Sequence, residues 1–194
     1  MEKRNTEEKK RGWFARRFAP KRLALIAVFA ALSYLLSFLE FPIFPAAPFL
    51  KLDFGNVLVM LMAFLLGPVE GVVVCLVKEC FRLIGSGTGG VGEIANFLVT
   101  CAYLLFPSIL YLYKKKLSTV IISLCVASVL ATGAALLANR FILFPLFFGD
   151  NAAAGFAANV WFVLAFNLIK AAAVSLLTVL LYKRLSYFFK KWKV

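Results

Sequence analysis

The chain has 194 residues, 63% of them hydrophobic and 16% charged, with a mean hydropathy of +0.91 and a formal net charge of +13. Soluble domains are nearer half apolar and a quarter charged, so an ordinary soluble domain is excluded and there is no room for a second one. The basic balance could suit nucleic acid, but the Lys and Arg flank apolar stretches instead of tracing a groove; topogenic charge touching anionic lipid is the better reading.

Residues 1–22 form a basic cytoplasmic segment. It is polar to Lys10; then Trp13, Phe14 and Phe18 mix with Arg16 and Arg17 over 11–21, which suits either a short interfacial helix or a plain positive flank. It is not read as a secretory signal, because the apolar run after it is too long and lacks a small-residue cleavage site. Residues 23–194 read as one membrane domain, an all-α bundle of six transmembrane helices. Span one covers Leu23 to Leu39. Its Ala24, Ala27, Ala30 and Ala31 put small side chains along the helix, and Ala27 with Ala31 makes a small-xxx-small pair that lets another helix approach closely. A Pro-rich loop, Glu40 to Asp53, leads to span two, Phe54 to Leu66, which is short for a bilayer core of about 30 Å. Gly67 to Gly71 is predicted as a tight turn. Span three covers Val72 to Ile84, a Gly-rich loop follows from Gly85 to Gly92, and span four runs from Ile94 to Tyr113. Span five covers Thr119 to Phe144 and span six Ala158 to Tyr182, with a loop at Phe148 to Gly155 between them.

Almost all the positive charge lies in three clusters, Lys3 to Arg22, Lys114 to Lys116 and Lys183 to Lys193. Cytoplasmic flanks are enriched in Lys and Arg, so the clusters predict an even number of spans with both termini inside. The Pro-rich, Gly-rich and Phe148–Gly155 loops then face outside. Cys75, Cys80, Cys101 and Cys125 sit within apolar runs, form no C-x-x-C and have no His to join them, so they read as packing residues and no metal site is expected.

Charge within a membrane costs roughly 2.5–3.5 kcal/mol per Lys or Arg at mid-helix, so polar residues inside the spans mark a site or pair with one another. They are Lys78, Glu79, Arg82, Arg140 and Lys170, with the amides Asn96, Asn139 and Asn167. Counting depth along each span at about 1.5 Å per residue gathers Glu93, Asn96, Asn139, Arg140, Asn167, Lys170 and Arg82 in the outer half of the bundle. That is the layout of a pocket open to the outside with a closed cytoplasmic floor. Glu79 and Arg82, three apart, are expected to neutralise each other. Lys170 has no acid three or four residues away on its own helix, so its partner must be another helix, water or a ligand. Gly85, Gly87 and Gly90 formally fit G-x-G-x-x-G, but no strand precedes them and no P-loop ending follows. The loop is either a connector or a source of free backbone N–H groups for a polar ligand.

The stretch PFLKLDFGNVLVMLMAFLLGPVEGVVVCLVKE (48–79), with GSGTGGVGEIANFL (85–98), NRFILFP (139–145) and FNLIK (166–170), resembles the riboflavin-specific S component of energy-coupling factor (ECF) transporters. The resemblance implies a six-helix substrate-binding membrane protein that is not an enzyme. It implies partners too: a transmembrane coupling protein and two ABC-type ATPases. By that resemblance Ala27 and Ala31 touch the coupling protein, and Phe49, Leu50, Lys51 and Asp53 belong to a loop capping the substrate. Asn139, Asn167 and Lys170 contact the flavin, and Glu93 and Asn96 are further pocket candidates. Riboflavin is then cargo and not a cofactor, with its phosphate FMN as a second candidate. Its flat apolar rings with a polar edge suit amides, a lysine donor and Phe and Leu side chains. The alternatives are the same fold carrying another vitamin, a small membrane enzyme acting on lipids, and a purely structural subunit. The enzyme would need a catalytic constellation that neither His nor a clustered acid pair supplies.

Overall fold

The structure, a computed structural model, describes residues 19–191, with side chains through Tyr182 and at Arg184. The interfacial helix expected over 11–21 lies almost wholly outside these residues.

Helix α1, Pro20–Ser37, opens on a proline whose missing amide costs nothing in the first turn. The Pro-rich loop is more ordered than a loop. Strands β1, Glu40–Pro42, and β2, Lys51–Asp53, pair antiparallel, with Glu40 opposite Asp53 and Pro42 opposite Lys51. Two successive turns join them, closed by Ala47 N–H to Phe44 O and Leu50 N–H to Ala47 O, both at 3.0 Å. Pro45 and Pro48 each occupy the second position of a turn, where a fixed φ near −65° is already correct. This small hairpin is the one departure from the expected all-α fold among the described residues.

Helix α2, Gly55–Leu65, has nine of its eleven residues buried. It packs against α1, against α3 (Pro68–Arg82), against α4 (Val91–Tyr113) and against α7 (Ala152–Lys191). A helix apolar on every side belongs inside a bundle. Its shortness follows, because protein surrounds it and it need not match the lipid alone. Close approach is built in at two glycines. A Cβ on Gly55 would lie 2.3 Å from the Ser33 carbonyl oxygen, and one on Gly71 would lie 2.6 Å from the Ala63 Cβ.

The turn expected over Gly67–Gly71 shrinks to Leu66 and Gly67, since Pro68 already starts α3. Helix α5, Leu117–Ala138, continues through a π turn, Asn139–Leu143, into α6, Phe144–Phe148. Pro145 explains the change of pitch. It has no N–H for the Phe141 carbonyl and its ring would clash there, so the ladder widens and Phe144 N–H reaches back to Asn139 O. The loop expected at Phe148–Gly155 is a 3₁₀ turn, Gly149–Asn151, after which α7 begins at Ala152. With 40 residues α7 spans about 60 Å, roughly twice the hydrocarbon thickness.

Among the described residues three stretches are long and apolar enough to cross a membrane: Pro20–Ser37, Val91–Tyr113 and Leu117–Tyr182, the last holding α5, α6 and most of α7. Leu35, Val129, Phe141 and Trp161 are among the large apolar side chains exposed on the surface, while Lys78, Glu79 and Asp53 are buried. The polar groups are inside and the apolar ones outside, as a lipid-facing bundle requires. Cys75 is buried and Cys101 half-buried, but Cys80 and Cys125 face outward, so not all four cysteines serve internal packing.

Candidate functional site

The site begins with three connections at one end of the bundle: the hairpin, the Gly-rich loop and the π turn with α6. Between them, the ends of α1, α3 and α4 and the middle of α7 lies a cavity of ≈ 630 Å³. That is within the range of about 300–1,000 Å³ usual for small-molecule sites. Phe49, Leu50, Lys51, Asp53, Glu93, Asn96, Asn139, Asn167 and Lys170 all line it. The candidate residues thus come from four separate segments, the hairpin, α4, the π turn and α7, and meet at one place.

The walls differ in chemistry. One is aromatic: Phe49 meets Phe144 edge-on at 6.1 Å between centroids and Phe147 at 6.3 Å, and Phe166 lines the same space. Behind it Ala47, Leu50, Phe144 and Val163 form a buried apolar cluster that seats the hairpin turns on α6 and α7. The same segments also bring amides to the cavity. Asn139 Nδ2 donates to Ala135 O at 2.7 Å, and Asn167 Nδ2 donates to Val163 O at 2.8 Å. Each amide is therefore held on its own helix, with its Oδ1 free of protein donors among the described residues.

The floor is ionic. Lys78 Nζ donates to Asp53 Oδ2 at 2.5 Å and to Asn56 Oδ1 at 2.7 Å, and lies 2.8 Å from Glu79 Oε1. Asn96 Nδ2 donates to Glu79 Oε1 at 2.6 Å and to Asp53 Oδ2 at 3.1 Å. Lys170 Nζ donates to Asn96 Oδ1 at 2.5 Å and sits 5.7 Å from the Phe166 ring centroid. Two lysines and two carboxylates balance. Asp53 also accepts from Gly55 N–H at 2.6 Å, which ties the root of the hairpin to the first turn of α2. Burial pushes the Asp53 carboxyl up, but Lys78, Lys170 and its hydrogen bonds outweigh this and hold it below the ordinary value.

The rim corrects two expectations. Glu79 and Arg82 do not pair. Glu79 turns inward to Lys78 and Asn96, while Arg82 Nη2 donates to Glu40 Oε2 at 2.6 Å and Arg82 Nη1 to Ser37 O at 3.0 Å. Glu40 also takes Lys51 Nζ at 2.9 Å. Of the two readings of the Gly-rich loop, connector or donor site, three of its N–H groups favour the first: Gly90 N–H and Thr88 N–H go to Ser86 Oγ, and Gly92 N–H goes to Thr88 Oγ1. Both hydroxyls in turn donate to Glu93 Oε2, at 2.7 and 3.0 Å. Arg140, expected in the outer pocket, is exposed, with its guanidinium 5.8 Å from the Phe156 ring centroid. It does not line the cavity.

Comparison with known proteins gives the frame for this geometry. The family model for the substrate-specific component of ECF transporters matches residues 21–182. The chain belongs to that family. It is 35% identical over 176 residues to the riboflavin transporter RibU of Staphylococcus aureus, covering 88% of this chain and 93% of the relative. The riboflavin transporter FmnP of Bacillus subtilis is 25% identical over 177 residues, with 85% and 92% covered. A solved structure of the S component of a bacterial ECF transporter superposes with a TM-score of 0.77 at 34% identity, covering 88% of this chain and 98% of that one. The fold of the present chain is therefore the S-component fold.

Sequence reasoning placed Lys78 in the membrane without a role, and passed over Asn56, Tyr34 and Phe166. An amide within the otherwise apolar run of α2 was the available signal for Asn56. Phe166 opens the FNLIK motif, four residues before Lys170 on the same helix, and that spacing was the available signal.

Proposed function

We infer that this S component binds riboflavin from outside the cell and delivers it for ATP-driven import. The observation that carries the reading is the cavity, lined by aromatic rings, by two amides and by Lys170, whose ammonium lies 5.7 Å from the Phe166 ring centroid. Lys170 has three N–H donors and one oxygen acceptor among the described residues, so two donors remain for a ligand. A planar ring system with carbonyl and ring-nitrogen acceptors on one edge fits that lining. Phe49 and Leu50 then cover the ring while Lys51 and Glu93 stand nearer the mouth. The relatives named riboflavin transporters support the same ligand. Riboflavin, or FMN as the second candidate, is cargo in this reading.

The partners that go with it are a transmembrane coupling protein and two ABC-type ATPases, in the cell membrane of a prokaryote. Ala27 and Ala31 are exposed on α1 beside Ala24, Val28 and Leu35, a surface on which a partner helix can approach closely. Purified protein is expected to quench riboflavin fluorescence on titration. Ala27→Leu with Ala31→Leu is expected to keep that binding and to lose uptake in cells. Absence of binding by the wild type overturns the functional reading. Equal loss of binding and uptake in the variant overturns the partner surface.

Six spans with both termini cytoplasmic, and residues 23–194 as the membrane domain behind a basic segment at 1–22, complete the reading. Single-cysteine labelling from outside intact cells is expected to reach Asp150→Cys and to spare Lys115→Cys. Labelling of both positions rules this topology out.

A further inference from the structure

The two buried lysines share one network but not one situation. Lys78 is 0% exposed and does not line the cavity. Its three N–H donors have three acceptors: Asp53 Oδ2, Asn56 Oδ1 and Glu79 Oε1. It has nothing left for a ligand. Lys170 reaches the cavity with one oxygen acceptor, Asn96 Oδ1.

Asn96 connects them, and its orientation is forced. Its two N–H bonds go to the carboxylates of Asp53 and Glu79, and its Oδ1 accepts from Lys170 Nζ and from Asn56 Nδ2 at 2.9 Å. The flipped amide would set its NH₂ against an ammonium and another NH₂, and its oxygen against two carboxylates. Asn56 is fixed the same way, with its oxygen on Lys78 and its NH₂ on Asn96.

We propose that Lys78 is the positioning residue of the binding site: it holds Asp53, Glu79 and Asn56, these fix Asn96, and Asn96 aims the Lys170 ammonium at the ligand. The inference rests on the riboflavin reading above. Electrostatics gives it a specific signature. Without Lys78, two carboxylates face the single ammonium of Lys170. That ammonium is drawn toward Asp53 and Glu79, away from Asn96 Oδ1 and from its aim at the ligand. Removing one carboxylate charge restores a one-to-one balance and leaves an amide oxygen at position 79 to accept from Asn96.

The test is riboflavin titration of the purified full chain, with folding followed by helical circular dichroism and size-exclusion profile. Lys78→Met is expected to weaken binding about tenfold, a size reached by residues that act on a ligand through intermediaries. Adding Glu79→Gln is expected to recover most of the loss. A lysine that merely fills space would show no such recovery from a charge removed at its neighbour. Wild-type affinity in Lys78→Met overturns the proposal, as does a folded double variant no better than the single. If Lys78→Met does not fold, a folded double variant that binds supports the proposal, and a double variant that fails to bind overturns it. A wild type without riboflavin binding is a different result and removes the functional reading itself.

Discussion

Replacing Asp53 by Ala is expected to cost the folded protein about 3–5 kcal/mol, the range for removing one partner of a buried ion pair. The side chain is 4% exposed and has three protein partners: Lys78 Nζ, Asn96 Nδ2 and Gly55 N–H. The substitution takes the Asp53 carboxylate from the fully buried Lys78 ammonium, which keeps Asn56 and Glu79, and removes the acceptor of Gly55 N–H and of one Asn96 N–H. In a chain of this length each kcal/mol shifts the unfolding midpoint by about 2–4 °C, so a fall on the order of 10 °C is expected in detergent. Asp53→Asn keeps one of the two acceptor oxygens, which Gly55 N–H and Lys78 Nζ use separately, turns an NH₂ toward the other donor, and so recovers only part of the loss. The pH dependence has a definite sign. The folded Asp53 is more acidic than the unfolded one, so its stabilisation is complete above the ordinary carboxylate value of about 3.9 and is lost as pH falls through the folded value. A melting temperature within 2 °C of wild type, a limit of about 1 kcal/mol, would rule out Asp53 as the anchor of the hairpin root.

The bundle was legible because Gly, Pro and Lys clusters interrupt the apolar runs, and the site was legible because polar residues in lipid are costly. Depth counting put Asn139, Asn167 and Lys170 at one level, and one cavity does hold them. Pairing was not legible. The bonds that build the floor join residues far apart in the chain, such as Lys78 with Asp53 and Lys170 with Asn96. Spacing on one helix gave Glu79–Arg82, which tertiary contacts overrode. Glu79 turns to the interior, while Arg82 near the helix end finds Glu40 across the mouth. The hairpin escaped notice because its strands have three residues each and the first ends on Pro42. The Gly-rich loop stayed undecided between connector and donor site for a related reason. Its N–H groups looked free until Ser86 and Thr88, small residues that favour local side-chain to backbone bonds, closed on them.

Lys170→Met is the substitution that should separate ligand recognition from architecture. Methionine keeps an unbranched apolar stem in contact with Phe166 and removes the ammonium. If two of the Lys170 donors bind ring acceptors of the flavin, affinity should fall by roughly 1.5–3 kcal/mol, about ten- to a hundredfold. Two features of the floor argue that the fold tolerates the change better than it tolerates loss of Asp53. Lys78 keeps all three of its acceptors. Asn96 Oδ1, relieved of Lys170, still accepts from Asn56 Nδ2. What is left behind is one excess negative charge beside the cavity, which disfavours an anionic ligand further and a neutral one little. Riboflavin affinity should therefore drop sharply while the melting temperature of the ligand-free protein moves by only a few degrees. The reverse pattern, unaltered affinity with a large fall in stability, would assign Lys170 to the architecture and leave Asn139 and Asn167 to hold the polar edge of the ligand.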